Sequence, residues 1–350
     1  MNSLCRRLFV ATGVVLATGA TAFAADTPKL PGYTVVKTIA LGAPDRWDFV
    51  TFDASSNRAF VSHRTQVDVV DVASGKVVGE IGNIGESHGV ATVPSLGRGY
   101  ADDAATKTLI VFDLKTLARI AAPAVGVDAD AVTYDPASGR VFVMNADGNS
   151  VSAVDAKTSE AIKTVPLGGA PEMAAVDGKG KLFINIASTN EIVAFDTKSL
   201  TVISRWAVPA CAKPHGLAID DATGRLFVSC VNARMLVVDA HDGKVLADLP
   251  IGRGTDSAAF DPKTKLAFSS NGEGTLSVIA EQGADKFVAL GDVKTVPTAR
   301  TMAVDPATGR VFLIAADVGG MTAPEASGGK PHMSVVPGSV KLIVLAPNPA

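Results

Sequence analysis

The sequence predicts an all-β protein, a seven-bladed β-propeller whose blades are four-stranded antiparallel sheets. Three observations predict it: a repeat of about 42 residues, four short strand-like segments within each repeat, and a spare N-terminal strand that could complete the last repeat. The repeat is clearest where Asp135–Val143 (DPASGRVFV) recurs as Asp220–Val228 (DDATGRLFV) and as Asp305–Leu313 (DPATGRVFL). With weaker copies included, the first residue of this motif falls at seven places that are 40 to 44 residues apart: Asp53, Val93, Asp135, Asp177, Asp220, Asp261 and Asp305.

The third unit shows how each repeat divides into strands a to d. Strand a is predicted at Ala131–Tyr134 and strand b at Arg140–Met144, joined by a type I turn; strand c follows at Ser150–Val154 and strand d at Ala161–Leu167. The inner strands are continuous apolar runs, as expected for sheets that are buried on both faces. Strand c ends in Asp in five units, where a short carboxylate can accept backbone N–H groups and close the next turn: Asp71, Asp113, Asp155, Asp196 and Asp239.

The two ends of the chain are predicted to meet in the last blade. The seventh unit lacks strand d because the chain ends soon after its strand c at Val340–Leu345, while Tyr33–Gly42 resembles an unpaired strand d. Placing this N-terminal strand on the outside of the last blade closes the ring and protects the sheet edges. We therefore expect residues 25–350 to form one propeller domain. An insertion at 317–339 in the last blade, which contains Met321, Glu325, Lys330, His332 and Met333, is expected to be either a lid over the channel or a plain loop.

The first 24 residues have the pattern of a cleaved export signal. Arg6 and Arg7 precede an apolar stretch over 8–23, and Ala22-Phe23-Ala24 supplies the small-x-small cleavage pattern. We expect cleavage between Ala24 and Ala25 and a mature protein that is periplasmic or secreted, with no membrane anchor. The paired arginines leave both the general secretory and the twin-arginine routes open. The mature chain would carry 32 − 2 = 30 Lys and Arg against 35 Asp and Glu, a net charge of −5.

Composition excludes several classes of protein. The chain is 47% hydrophobic and 19% charged, which is too apolar for a disordered protein. It has no basic block that could neutralise the phosphates of duplex nucleic acid, and only 5% of its residues are aromatic, which leaves few rings for stacking single strands. We expect a monomer that binds a small polar ligand or another exported protein.

Removal of the leader leaves two cysteines, Cys211 and Cys230. Two cysteines in an oxidising compartment are usually paired. Pairing strands a and b of the fifth unit about their turn puts Leu226 opposite Ile219 and Cys230 opposite His215, with Cys211 a few residues above. We expect a disulfide, and the alternative is a thiol pair that serves a metal beside His215.

Ionisable residues stand five positions before the motif in every unit. In a propeller this position begins the innermost strand and faces the channel at the top face, where the d-to-a crossings and b-to-c loops lie. A chain with 19% charged residues would place about one or two there by chance. These residues, here called the channel ring, are Asp48, His88, Asp130, Glu172, His215, Asp256 and Arg300. They could be the salt-bridged lining of a wet channel, or a site for a metal ion or a polar ligand.

Four members of the channel ring are candidate ligands for a divalent metal: Glu172, Asp256, His88 and His215. The oxygen donors suit Ca²⁺ or Mg²⁺, and adding the histidines suits Zn²⁺. No contiguous metal-binding motif such as H-E-x-x-H occurs, so the candidates depend on convergence of different blades. The top face is also expected to hold His63, His332 and the loop residue Asp102, whereas His241 falls in a turn of the opposite face.

The b strands, each followed by a Val-rich strand c, resemble those of the YVTN-repeat or YncE-like exported seven-bladed propellers. The residues that carry the resemblance are Phe142-Val143-Met144-Asn145, Phe183-Ile184-Asn185, Phe227-Val228-Ser229-Cys230 and Phe268-Ser269-Ser270-Asn271. The resemblance covers the mature chain and implies a fold rather than one activity, because members include binding proteins and domains related to enzyme subunits.

Two functions follow as hypotheses. The first is a non-catalytic exported module that binds a small polar ligand, an ion or a protein partner at the top-face channel mouth. The alternative is a metal-assisted hydrolase or lyase that resembles the propeller lactonases, with Glu172 and Asp256 on the ion and His88 or His215 as acid or base.

Overall fold

A computed structural model describes residues 29–283, 285–321 and 333–349, and the predicted leader lies outside them. The chain forms seven four-stranded antiparallel sheets and one two-stranded hairpin. The innermost strands of successive sheets contact one another, and the last contacts the first, so the ring is closed. In the described part of the chain, no helix is long and apolar enough to cross a membrane.

The strands are numbered in chain order. The first half of the chain contains β1 (Tyr33–Gly42), β2 (Val50–Asp53), β3 (Arg58–His63), β4 (Gln66–Asp71), β5 (Lys76–Ile81), β6 (Val90–Val93), β7 (Arg98–Asp103), β8 (Thr108–Asp113), β9 (Arg119–Ala121), β10 (Ala129–Asp135), β11 (Arg140–Asn145), β12 (Ser150–Asp155), β13 (Ala161–Pro166), β14 (Pro171–Val176), β15 (Lys181–Ile186) and β16 (Glu191–Asp196). The second half contains β17 (Thr201–Ala207), β18 (Pro214–Asp220), β19 (Arg225–Cys230), β20 (Arg234–Asp239), β21 (Val245–Pro250), β22 (Thr255–Asp261), β23 (Leu266–Asn271), β24 (Thr275–Glu281), β25 (Phe287–Lys294), β26 (Thr301–Asp305), β27 (Arg310–Ala315), β28 (Val318–Met321), β29 (Met333–Val335) and β30 (Val340–Pro347).

Blades 1 to 6 each take four consecutive strands, beginning with β2, β6, β10, β14, β18 and β22. A short 3₁₀ helix, Pro94–Leu96, replaces the usual turn between strands a and b of blade 2, where Val93 stands in place of the motif Asp. The helix is closed by Gly97 in the left-handed conformation, with φ of 63°, which glycine adopts without steric cost.

Blade 7 joins the two ends of the chain, as predicted. Its sheet has the order β1-β30-β27-β26. β1 runs antiparallel to β30, from Tyr33 opposite Pro347 to Gly42 opposite Val340. The Lys37 ammonium then donates to the carbonyls of Val72 and Ala73 in blade 1, at 2.9 and 2.7 Å. The N-terminal strand therefore completes the last blade and is also anchored to the first.

An aromatic residue at the third position of strand b packs between neighbouring blades in all seven units. All seven side chains are buried: Phe60, Tyr100, Phe142, Phe183, Phe227, Phe268 and Phe312. Burying each ring contributes about 2 to 3 kcal/mol of hydrophobic stabilisation. The sheets stack through these apolar layers, which is why the inner strands carry few charged residues in their middles.

The aspartates that end strand c close the following turns, as predicted. Asp113, for example, accepts the backbone N–H groups of Lys115 and Thr116 at 2.9 and 2.7 Å. Hydrogen bonds from the N–H and hydroxyl of Thr116 stabilise the ionised carboxylate and lower the pKa of Asp113. These turns lie on the face opposite the channel ring and fix the blade edges there.

The predicted insertion at 317–339 begins and ends as a hairpin. β28 and β29 pair antiparallel, with Val318 opposite Val335. The N–H of Asp317 donates to the Ser339 hydroxyl at 2.9 Å, and the N–H of Gly338 donates to the carboxylate of Asp45, which lies in the crossing that precedes β2. Residues 322–332, including Glu325, Lys330 and His332, lie outside the described residues.

Candidate functional site

The seven residues of the channel ring occupy equivalent places at the top of the innermost strands. Asp48 and His88 lie two residues before β2 and β6, and Arg300 lies directly before β26. The other four are the second residues of β10, β14, β18 and β22. Six of the side chains are 17 to 23% exposed, and Arg300 is 50% exposed. These side chains are therefore partly buried but remain accessible to solvent.

A β-bulge accompanies the ring residue in four blades. The register of strand a against strand b gains one residue at Asp130, at Glu172, at His215 and at Asp256. A bulge re-aims side chains, and here it occurs where each strand reaches the channel mouth. The bulge also corrects one expectation. Leu226 is opposite Ile219 as predicted, but Cys230 is opposite Pro214 rather than His215 because the bulge adds a residue.

His88 lies between two carboxylates from the neighbouring blades, and the three residues are here called the triad. His88 Nδ1 is 2.9 Å from Asp48 Oδ2 and 3.5 Å from Asp130 Oδ1. Burial alone would lower the pKa of His88, but the hydrogen bond with Asp48 and the charges of Asp102, Asp48 and Asp130 raise it to about 9. Burial, reinforced by the charges of Asp48 and Glu172, raises the pKa of Asp130 well above its usual range.

The other four ring residues form a second cluster. His215 Nδ1 lies 3.1 Å from Asp256 Oδ1 and 3.6 Å from Glu172 Oε2, and Arg300 Nε lies 2.9 Å from Asp256 Oδ2. Burial and the nearby acids Asp256, Asp48 and Asp128 raise the pKa of Glu172 to about 6, although the charge of His215 lowers it. Burial disfavours the charged form of His215, but its bond to Asp256 and the charge of Glu172 raise its pKa.

The ring therefore divides into two charge-paired groups. Of the four predicted metal ligands, the structure brings Glu172, His215 and Asp256 together and places His88 in the triad instead. Arg300 occupies one oxygen of Asp256, so the second cluster already has a cation.

Asp102, at the fifth position of strand b in blade 2, belongs beside the triad. One of its oxygens accepts the backbone N–H groups of His88 and Gly89 at 2.9 and 2.7 Å, and the side chain is fully buried. Its other oxygen has no hydrogen-bond partner among the described residues. Burial raises the pKa of Asp102 well above its usual range. The sequence placed Asp102 in a top loop without connecting it to His88. The available signal was that only this unit has an ionisable residue at that strand position.

A cavity of about 540 Å³ opens on the top face between blades 7, 1 and 2, and is here called the top-face pocket. Its lining combines both charge signs with a few neutral groups: Asp45, Asp48, Glu86, Arg46, Arg64, Arg300, His88, Trp47, Ser87, Ser334 and Val335. The Arg46 guanidinium lies 3.5 Å from Glu86, while Arg64 makes no ion pair in the described part of the chain. Ser334 and Val335 come from β29, so the insertion contributes to the pocket wall.

The remaining histidines have other environments. His63 is fully buried, with Nδ1 2.6 Å from Asp68 Oδ2 and Nε2 in contact with the Pro44 carbonyl, so it supports the crossing into blade 1. His241 lies in a turn between β20 and β21, on the opposite face. Neither approaches the ring.

Cys211 and Cys230 form the predicted disulfide. Their Cα atoms are 5.2 Å apart, and both residues are fully buried against blade 5. The bond uses both sulfur atoms, so the alternative of a thiol pair for a metal does not hold.

Fold and site together define the class: a seven-bladed β-propeller with a charged ring and a polar pocket on one face. No protein-family model matches the sequence, and no curated protein matches it. Among solved structures, the chain is similar to one described as Kuenenia stuttgartiensis hydrazine synthase, with 15% identity and a TM-score of 0.67 over 82% of this chain and 95% of that chain. In all, 1763 chains of solved structures match, so the similarity establishes a widely shared fold and no activity.

Proposed function

We propose that the protein is an exported, non-catalytic binding module whose top-face pocket takes a small polar ligand bearing a carboxylate or phosphate group. The observation that carries the proposal is the Arg64 guanidinium, which lines the pocket and has no acid partner among the described residues. A guanidinium presents a planar fork of donors that matches carboxylate and phosphate oxygens. Arg64 is thus available for an anionic group from outside the chain.

The rest of the pocket supports the same ligand class. Arg300 also lines the pocket; it pairs with Asp256 through Nε and its side chain is half exposed. A volume of about 540 Å³ is within the range of small-molecule sites.

Location and family are inferred on separate grounds. The disulfide favours an oxidising compartment, and the N-terminal pattern favours export, so we place the mature protein in the periplasm or outside the cell. The repeated b and c strands favour membership of the YVTN-repeat or YncE-like propellers. A second exported protein, rather than a small molecule, is the other partner that a top face of this kind would accept, and we expect the free protein to be a monomer.

The alternative function, a metal-assisted hydrolase or lyase, is favoured by one observation, the close approach of Asp48, His88 and Asp130. That reaction would need a divalent ion at the pocket floor, with His215 or another ring residue as acid or base. It is refuted if the protein shows no turnover of lactones or esters with divalent ions added.

Calorimetric titration of the mature protein with a panel of small carboxylic acids and phosphates tests the binding proposal. We expect at least one member to bind, and Arg64→Gln to weaken it by about tenfold, the loss of roughly one charge-assisted hydrogen-bonded pair. The control is Arg119→Gln, an exposed arginine on β9 that donates to the Asn83 carbonyl away from the pocket. Binding of no member, or equal binding by Arg64→Gln and wild type, contradicts the proposal.

A further inference from the structure

We propose that the triad of Asp48, His88 and Asp130 binds one divalent transition-metal ion of the zinc class at the top of the channel. The inference goes beyond the proposed pocket function, because it concerns an ion held by the chain itself with no organic ligand present. It also differs from the ligand set expected from the sequence, which contained His88 but neither of these two aspartates.

The spacing of the donor atoms suits such an ion. Zinc binds imidazole nitrogen and carboxylate oxygen at about 2.0 to 2.2 Å, so tetrahedral ligand atoms lie about 3.3 to 3.5 Å apart. In the triad the two distances from His88 Nδ1 are 2.9 and 3.5 Å, and all three donor atoms lie within 4.8 Å of one another. The two distances from His88 Nδ1 therefore lie close to the tetrahedral spacing, and an ion bound there would replace the proton that His88 Nδ1 shares with Asp48. In the described residues, no other group of three possible ligands is this compact.

The chemical types of the three donor groups in the triad indicate which class of metal ion would bind. One imidazole with two carboxylates suits Zn²⁺ and its neighbours, whereas Ca²⁺ prefers six to eight oxygen ligands. The three donors come from consecutive blades: Asp130 lies in β10, and Asp48 and His88 lie two residues before β2 and β6. Asp48 and His88 also line the top-face pocket, so an open fourth position would face it.

Asp102 supplies a second, independent observation. This fully buried carboxylate contacts the His88 backbone and leaves one oxygen without a partner in the described residues. Buried polar atoms without partners are uncommon in folded proteins, and an ion or a water molecule often lies beside those that occur. The two carboxylates of the triad, with buried Asp102 against the His88 backbone, give a concentration of negative charge that a dication would offset.

The second cluster, which contains Arg300, does not have this concentration of unpaired negative charge. Arg300 already neutralises Asp256 at 2.9 Å, and a dication placed between Glu172, His215 and Asp256 would be repelled by the guanidinium. The two halves of the ring thus differ in what they would attract, and the difference can be measured.

The test is titration of the mature, untagged protein with ZnCl₂ alone, combined with metal analysis after dialysis. We expect one zinc per chain, and at least tenfold weaker binding in both His88→Gln and Asp130→Asn, with Ca²⁺ binding weaker than Zn²⁺ in wild type. Asp147→Asn is the matched control: the same substitution in the same blade, at an exposed residue of the loop between β11 and β12. Circular dichroism confirms folding, and Asp130→Asn decides if His88→Gln does not fold.

Three outcomes would overturn the proposal. They are absence of stoichiometric zinc, unchanged affinity in both triad variants, and loss of binding in His215→Gln with retention in His88→Gln. Since no organic ligand is used, a protein that binds zinc but no anion refutes only the pocket function, and a protein that binds an anion but no zinc refutes only the metal site.

Discussion

Replacing Glu172 with Gln should remove a pH-dependent loss of stability that the channel ring imposes on the wild-type protein. The Glu172 side chain is 22% exposed, and its pKa is raised from 4.5 to about 6, mainly by burial. The folded state therefore binds the proton more tightly than the unfolded state does. Below about pH 4.5 both states are protonated and Glu172 costs nothing, whereas above about pH 6 both are ionised and the cost is complete.

The size of the effect follows from the shift. A change of about 1.5 pKa units corresponds to about 2 kcal/mol. The free energy of unfolding of Glu172→Gln, relative to wild type, should thus rise by about 2 kcal/mol between pH 4 and pH 7.5. Glutamine keeps the side-chain volume, so a constant packing difference would not change with pH.

Guanidinium unfolding curves at half-unit pH intervals, recorded for wild type and variant, measure this difference. The control is Glu160→Gln, the same substitution at an exposed glutamate beside a turn of blade 3, away from the channel ring. A Glu172→Gln difference that does not change between pH 4 and pH 7.5 would show that the ring does not penalise ionised Glu172.

Three further predictions concern the fold. Replacing both Cys211 and Cys230 with Ala should lower the free energy of unfolding by about 3 kcal/mol, because the disulfide closes a loop across a sequence separation of 19 residues. Equal stability of the variant and the oxidised wild type in denaturant titrations would contradict this. Asp113→Ala should lower the melting temperature at pH 7. The difference in melting temperature from wild type should shrink as the pH falls below about 4, because the pKa of Asp113 is lowered in the folded state and protonation removes its stabilising effect. A difference that is constant from pH 7 to pH 3 would argue against this. Ile39 in β1 is 5% exposed, and Ile39→Ala should lower the free energy of unfolding by about 2 to 4 kcal/mol. Val36 in the same strand is 55% exposed, and Val36→Ala should lower it by less than about 0.5 kcal/mol. Equal losses in chemical unfolding would mean that the buried face of β1 does not stabilise the closed ring.

The sequence predicted the architecture closely because each unit repeats the same local pattern. Tyr33–Gly42 was assigned as the closing strand with the bounds that the structure shows, and the motif turns gave the registers of strands a and b. Because the units repeat, strand positions assigned in one clear unit, such as residues 131–167, can be transferred to units whose own pattern is weaker. The disulfide could be predicted because the third cysteine of the sequence, Cys5, falls in the predicted leader.

The arrangement within the ring could not be predicted in the same way. The seven positions were identified from their spacing, but the spacing does not determine which ring side chains pair with one another. His88 is bonded to Asp48 on one neighbouring blade and lies close to Asp130 on the other, whereas Asp256 is shared between His215 and Arg300. These choices arise from side-chain packing between blades that are far apart in sequence. Asp102 was expected at the top face, but its contact with His88 was missed for the same reason, because it joins strand b to the segment before strand a.

The ring combines burial with charge in a way that stability alone would not favour. Burial raises the pKa values of Asp102, Asp130 and Glu172, so their ionised forms cost folding free energy at neutral pH. By contrast, hydrogen bonds from their turns lower the pKa values of Asp113 and Asp155 on the opposite face, and these carboxylates stabilise the turns. Carboxylates whose ionised forms are destabilised by burial lie at one face, and carboxylates stabilised by hydrogen bonds lie at the other. This is the pattern expected when the first face binds a ligand and the second stabilises the turns of the blades.

A crystal structure of the mature protein, soaked with the tightest-binding acid of the panel, tests the proposed binding face most directly. We predict density for the acid in the top-face pocket, with its anionic oxygens about 3 Å from the guanidinium groups of Arg64 and Arg300. Density instead in the cleft of about 300 Å³ between blades 4 and 5 on the opposite face, near Lys179 and His241, would contradict the proposal.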